Sequence, residues 1–143
     1  MSKRIKAIMS VMLALALIVV LITACGPPEI ITETFAETEF AQAGFFCQDE
    51  GLTVDLQPGK LVCSGQFEGQ DVVIELAAMI TDTGMYLQIQ KMSMGGADVS
   101  SEEYASTNDE LKKDIYVTQE GYEVTEVTIT DDELIVTSSL KSE

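Results

Sequence analysis

Residues 52–94, LTVDLQPGKLVCSGQFEGQDVVIELAAMITDTGMYLQIQKMSM, decide the fold. Leu52, Val54 and Leu56 alternate with Thr53, Asp55 and Gln57, the two-residue period of a strand with one buried face. Gln57-Pro58-Gly59-Lys60 is a turn: proline presets one φ angle and glycine accepts a positive one. Leu61, Cys63 and Phe67 then alternate with Val62, Ser64 and Glu68. A four-residue turn sets Leu56 opposite Leu61 and Val54 opposite Cys63 on one face, which points Cys63 inward. The next hairpin repeats the pattern. Val72, Ile74, Leu76, Ala78 and Ile80 form an apolar stripe, Thr81-Asp82-Thr83-Gly84 reverses the chain, and Met85, Leu87 and Ile89 return on the same face.

Working outward, Glu29 to Thr34 reads as a short strand. Thr34-Phe35-Ala36-Glu37 has capping-box spacing for a helix running to Ala43, with Gly44 to end it. Beyond the second hairpin, Gly95-Gly96 marks a bend, and Ser100 with Glu103 makes a second capping box. Tyr104, Asn108, Leu111 and Ile115 share one side at helical spacing, with Thr107-Asn108-Asp109 as a point where that helix splits. The chain closes with a hairpin, Tyr122 to Thr130 and Glu133 to Ser139. A two-residue Asp131-Asp132 loop sets Ile129 opposite Leu134 and Val127 opposite Val136. Tyr122 and Val124 are out of phase with Val127, so a bulge is predicted near Glu126. The expected architecture is a single α+β domain: a curved antiparallel sheet of three hairpins packed on two short helices.

The first residues are an address rather than part of that core. Lys3, Arg4 and Lys6 precede an apolar run from Ala7 to Ile22, which leads into Ile22-Thr23-Ala24-Cys25-Gly26. This resembles the lipobox of bacterial lipoproteins, in which the cysteine sulfur receives a diacylglyceryl group and the chain is cut just before it. An uncleaved membrane anchor and a secreted protein cut nearby are the alternatives. The expected organisation is a signal peptide over 1–24, the acylated Cys25 with a short tether over 25–31, and a lipid-binding-like domain over 32–143. An acyl chain such as palmitate on the freed amine adds a second anchor, each methylene contributing about 0.8 kcal/mol on insertion. The implied location is the extracytoplasmic side of the cell membrane.

The charge narrows the functions. The 143 residues contain 8 basic, 24 acidic and no histidine side chains, a formal −16. Past the signal peptide, five basic residues face all 24 acids, a formal −19. Such a surface does not bind nucleic acid, and anionic lipid headgroups repel it, so the membrane is held through the lipid anchor. The absence of histidine excludes His-ligated metal, a Ser-His-Asp triad and a Cys-His pair. Neither metal nor cofactor is expected. Two cysteines remain for an exported chain, and Cys47 with Cys63 reads as a structural disulfide stapling helix to sheet. The 16-residue separation is worth on the order of 3 kcal/mol in the chain-entropy model.

Three motifs invite a chemical reading and do not carry one. Asp82-Thr83-Gly84 has the aspartic-protease pattern, but a shared proton needs two carboxylates and the chain has one copy, at a place where a turn is needed. Asp131-Asp132-Glu133, and Asp98 with Glu102 and Glu103, lack the ligand spacing of a calcium loop. Gly95-Gly96 lacks the lysine and spacing of a phosphate loop. Met79, Met85, Met92 and Met94 read as core filling or as an adaptable apolar pocket.

The stretch LTVDLQPGKLVCSGQFEGQDVVIELAAMITDTGMYLQIQKMSMGG, with Asn108-Asp109-Glu110-Leu111 and the closing GYEVTEVTITDDELIVT, resembles the LmeA-like phospholipid-binding family of bacterial envelope proteins. The region between Phe35 and Leu52 is shorter than that family's helix, and the Cys47 and Cys63 pair is a departure from it. The resemblance implies a bent sheet wrapping a helix, an apolar groove for acyl chains and no enzyme activity. The groove candidates are Phe40, Leu76, Ala78, Ile80, Met85, Leu87, Ile89 and Leu111. The expected function is therefore a non-catalytic, membrane-anchored lipoprotein binding lipid acyl chains. The competing expectation is a structural or interaction lipoprotein with a filled core and an acidic surface that contacts a protein partner.

Overall fold

The computed structural model describes residues 26–42 and 45–142. Nine strands and three helices follow in the order β1 (Ile30–Ala36), α1 (Glu37–Phe40), α2 (Phe46–Asp49), β2 (Thr53–Gln57), β3 (Lys60–Phe67), β4 (Gln70–Ile80), β5 (Gly84–Met94), β6 (Ala97–Asp98), α3 (Ala105–Lys113), β7 (Tyr116–Val117), β8 (Tyr122–Ile129) and β9 (Glu133–Leu140). All strand pairs are antiparallel and the sheet curls strongly, as expected for this α+β domain.

The hairpins form in the expected registers. Leu56 faces Leu61 and Val54 faces Cys63 across Pro58-Gly59, where Gly59 has φ +82°. Ile80 faces Met85, and the Thr81 N–H donates to the Gly84 carbonyl at 2.9 Å to close that turn. Ile129 faces Leu134 and Val127 faces Val136, with the register slipping between Val124 and Glu126. A second slip falls between Glu75 and Leu76, where Lys91 and Ile89 are their partners and Gln90 is the extra residue.

The curled ladder is divided in two. One sheet runs β1-β9-β8 and the other β2-β3-β4-β5-β6, with β7 added to β5. The Gly59 N–H joins them by donating to the Ile129 carbonyl at 2.9 Å. Both sheets and all three helices feed one apolar cluster: Phe35, Leu134 and Val136 from the first sheet, Leu56, Leu61 and Leu76 from the second. Leucines closed off this completely contribute roughly 1.5–3 kcal/mol each. On the outer face, Lys60 pairs with Glu75, holding that carboxyl below its usual range through the hydrogen bond to the ammonium.

Several local expectations give way to packing. The first strand begins at Ile30 and runs to Ala36, so Thr34 is paired with Ile135 rather than capping a helix. Burial of Ile31 and Phe35 along this strand outweighs the cap. The capping carboxylate comes two residues later, where Glu39 accepts from the Ala36 N–H at 2.8 Å. Instead of one helix there are two four-residue turns of helix; Ala43 and Gly44, expected at its end, lie outside the described residues. Cys47 falls in the second of these turns, α2, from which the disulfide staples helix to sheet as expected. The long helix starts at Ala105, after a turn closed by the Glu103 N–H and the Ser100 carbonyl, and Asn108 does not split it. Ile115 lies past its end and is exposed. Phe67, expected on the core face, is exposed at the far end of its hairpin opposite Gln70.

Gly84 permits β7 to dock. A Cβ there would sit 1.7 Å from the Tyr116 carbonyl oxygen, an impossible approach to backbone. Gly84→Ala is therefore expected to destabilise the domain by about 1–3 kcal/mol in urea unfolding, the cost of forced overpacking. Unchanged stability would contradict the tight β5–β7 contact.

Candidate functional site

The structure divides the eight groove candidates into three groups. Phe40, Leu76, Met85, Ile89 and Leu111 belong to the buried core, and Leu76 has 0 % of its surface accessible. Ala78 and Leu87 are half-buried against that core. Ile80 is 48 % exposed, because it occupies the last rung before the turn, beyond the reach of the core. The interior between helices and sheet is thus packed around Leu76. Apolar surface continues outward through Met92, Met94 and Val99, all partly buried against the same cluster.

Helix α3 is fixed to this region by Asn108. Its Oδ1 accepts from the Ile89 N–H at 2.7 Å and its Nδ2 donates to the Ile89 carbonyl at 3.2 Å. One side-chain amide thereby does what a strand residue would do on the open edge of β5. The Tyr104 hydroxyl donates at 3.3 Å to the carbonyl of Gln90, the extra residue of the bulge. Asn108 was legible as part of a helix face, but its role depends on the bulge that presents Ile89.

A buried polar cluster forms where β7 meets β1 and β9. Glu33 alternates inward with Ile31 and Phe35 on β1 and is buried. The Phe35 ring meets Tyr116 edge-on, with centroids 5.5 Å apart. Thr118 and Ser138, also buried, share a hydroxyl hydrogen bond of 2.7 Å. The Tyr116 hydroxyl is buried without a hydrogen bond of good geometry, although Glu33 and Thr118 lie beside it. Burial first, and the Glu33 carboxylate second, push the Tyr116 phenol far above its ordinary value. This cluster went unread in the sequence; the one available signal was Glu33 at an inward position between two apolar residues.

The remaining motifs fall in structural roles. Cys47 and Cys63 form a disulfide with Cα atoms 6.0 Å apart, both fully buried, joining α2 to β3. Asp82 and Thr83 sit in the exposed turn between β4 and β5. Asp131 and Asp132 are the exposed loop between β8 and β9. Gly95 and Gly96, with φ +60° and +81°, make the tight turn from β5 to β6. No group of three or more metal-type side chains gathers among the described residues, and no helix among them is long and apolar enough to cross a membrane. Cys25 and the segment before it lie outside the described residues.

Two expectations follow. Replacing both Cys47 and Cys63 by serine should lower stability to urea by on the order of 3 kcal/mol, since the bridge restricts the unfolded chain. Tyr116→Phe should change stability at neutral pH by less than about 1 kcal/mol, because no well-formed hydrogen bond is lost. A phenol raised in the folded state leaves stability intact below about pH 10 and erodes it above, as the unfolded tyrosine ionises. The variant should therefore resist alkaline unfolding better than the parent in circular dichroism, and equal sensitivity would contradict the buried neutral phenol. No family model, curated protein or solved structure matches this chain.

Proposed function

We propose that the mature chain is a non-catalytic lipoprotein domain, held on the extracytoplasmic side of a bacterial cell membrane by lipid on Cys25. In this reading its core is filled, and its acidic surface contacts a protein partner. The observation that carries the filled-core reading is the closure around Leu76, which keeps no surface open to a ligand against the centre of β4. The buried Cys47–Cys63 disulfide supports export to an oxidising compartment. The 24 acids, set against five basic residues past the signal peptide, support a solvated surface suited to a basic partner. Placement of Asp82 in an exposed turn, in a chain without histidine, supports the absence of catalysis.

Acyl-chain binding is the second reading. It is favoured by the half-buried stripe Ala78, Leu87, Met92 and Met94, where unbranched methionines can yield to a ligand. Intact-mass analysis of protein made in a bacterial host is expected to show a chain starting at Cys25 with diacylglyceryl on its sulfur. A chain starting at Met1 with a free Cys25 thiol would overturn the anchored reading. Native mass spectrometry of the same preparation separates the two interiors. Only the covalent lipid is expected; stoichiometric non-covalent phospholipid would favour the second reading.

A further inference from the structure

The end of the domain nearest the anchor carries exposed apolar side chains among acidic ones, and the chain leaves little slack there. The Tyr122 hydroxyl donates to the Pro28 carbonyl at 2.7 Å, and the Leu140 N–H donates to the Glu29 carbonyl at 2.8 Å. Ile30 is already paired with Ser139. Only Gly26 and Pro27 separate Cys25 from this pinned backbone, a reach of about 10 Å. Lipid on Cys25 therefore brings the surface around Ile30 against the bilayer.

Ile30, 62 % exposed, is the most exposed large apolar side chain of the described residues; Leu140, 40 % exposed on the last rung of β9, points to the other face of the sheet, because Ile30 is paired with Ser139, so the two flank the strand end from its two sides. Val117, 51 % exposed, joins the same end through the loop to Tyr122, whose Gly121 carbonyl accepts from the Lys141 N–H at 2.9 Å. The Thr118 N–H donates to the Thr83 carbonyl at 2.9 Å, which ties the turn after β4 to the same loop. The exposed Phe67 lies at the other end of the eleven-residue β4, about 35 Å of strand away.

We infer that this end is a membrane-contacting face: Ile30, Leu140 and Val117 rest in the interface of the leaflet that holds the Cys25 lipid, while Glu29, Glu120 and Glu123 stay at the wet rim. The inference rests on the anchored reading above and adds an orientation to it. Anionic headgroups repel the acidic rim, so the contact is made with zwitterionic lipid.

The chain has no tryptophan, which makes single reporters clean. Ile30→Trp, Leu140→Trp and, as a control, Phe67→Trp would each be made in the full chain, lipidated in a bacterial host and reconstituted into phosphatidylcholine vesicles containing brominated phosphatidylcholine. The first two reporters are expected to shift to the blue and to be quenched at least severalfold more than the Phe67→Trp control. With diacylglyceryl confirmed by mass, equal quenching of all three would overturn the contact and leave the anchor standing. A Cys25 without lipid would overturn both. Two reporter sites on different strands keep the test usable if one substitution unfolds the domain.

Discussion

A strand with a full-length neighbour on one side only has N–H and C=O groups along its other side that need partners, and β5 is eleven residues of such a strand. β4 satisfies one side. The other is closed piece by piece: β7 pairs with Gly84 and Met85, Asn108 with Ile89, Tyr104 with Gln90, the Val99 N–H with Met92, and β6 with Ser93 and Met94. Everything between residues 95 and 117 is laid along this edge. The order β6, α3, β7 follows from satisfying it, and the edge is covered against pairing with another chain.

The hairpins were legible because their signals are local. Alternation fixes a face, and Pro58-Gly59 or Asp131-Asp132 fixes a register, so Leu56 with Leu61 and Ile129 with Leu134 could be paired before any fold was known. What was hidden depends on partners distant in the chain. Thr34 has the chemistry of a cap, yet β9 offers Phe35 a buried position and the strand continues. β6 and β7, two residues each, have no periodicity to read and exist because β5 has an edge to fill. The first helix is short because Phe40, Phe45 and Phe46 pack ring against ring within a few residues, which a straight helix would not allow.

The candidate site was legible as an apolar face but not as a filled or open one. Periodicity places Leu76 and Ile89 inward without saying how far the opposite side reaches. In the fold, the helices and the β1-β9-β8 sheet close over Leu76, while Ile80 runs past them into solvent. The polar cluster of Glu33, Tyr116, Thr118 and Ser138 shows the same limit. Its members come from three distant segments of the chain and meet only when β7 docks beside β1 and β9.

The pairing of β1 with β9 makes the first strand of the domain the neighbour of the last. The loop that this contact closes contains almost every other element, so its entropy cost falls late and is met only when residues 133–140 are in place. A nascent chain in which residues 133–140 are not yet made holds Ile31, Glu33 and Phe35 without a ladder, so the earliest described strand waits longest for its partner.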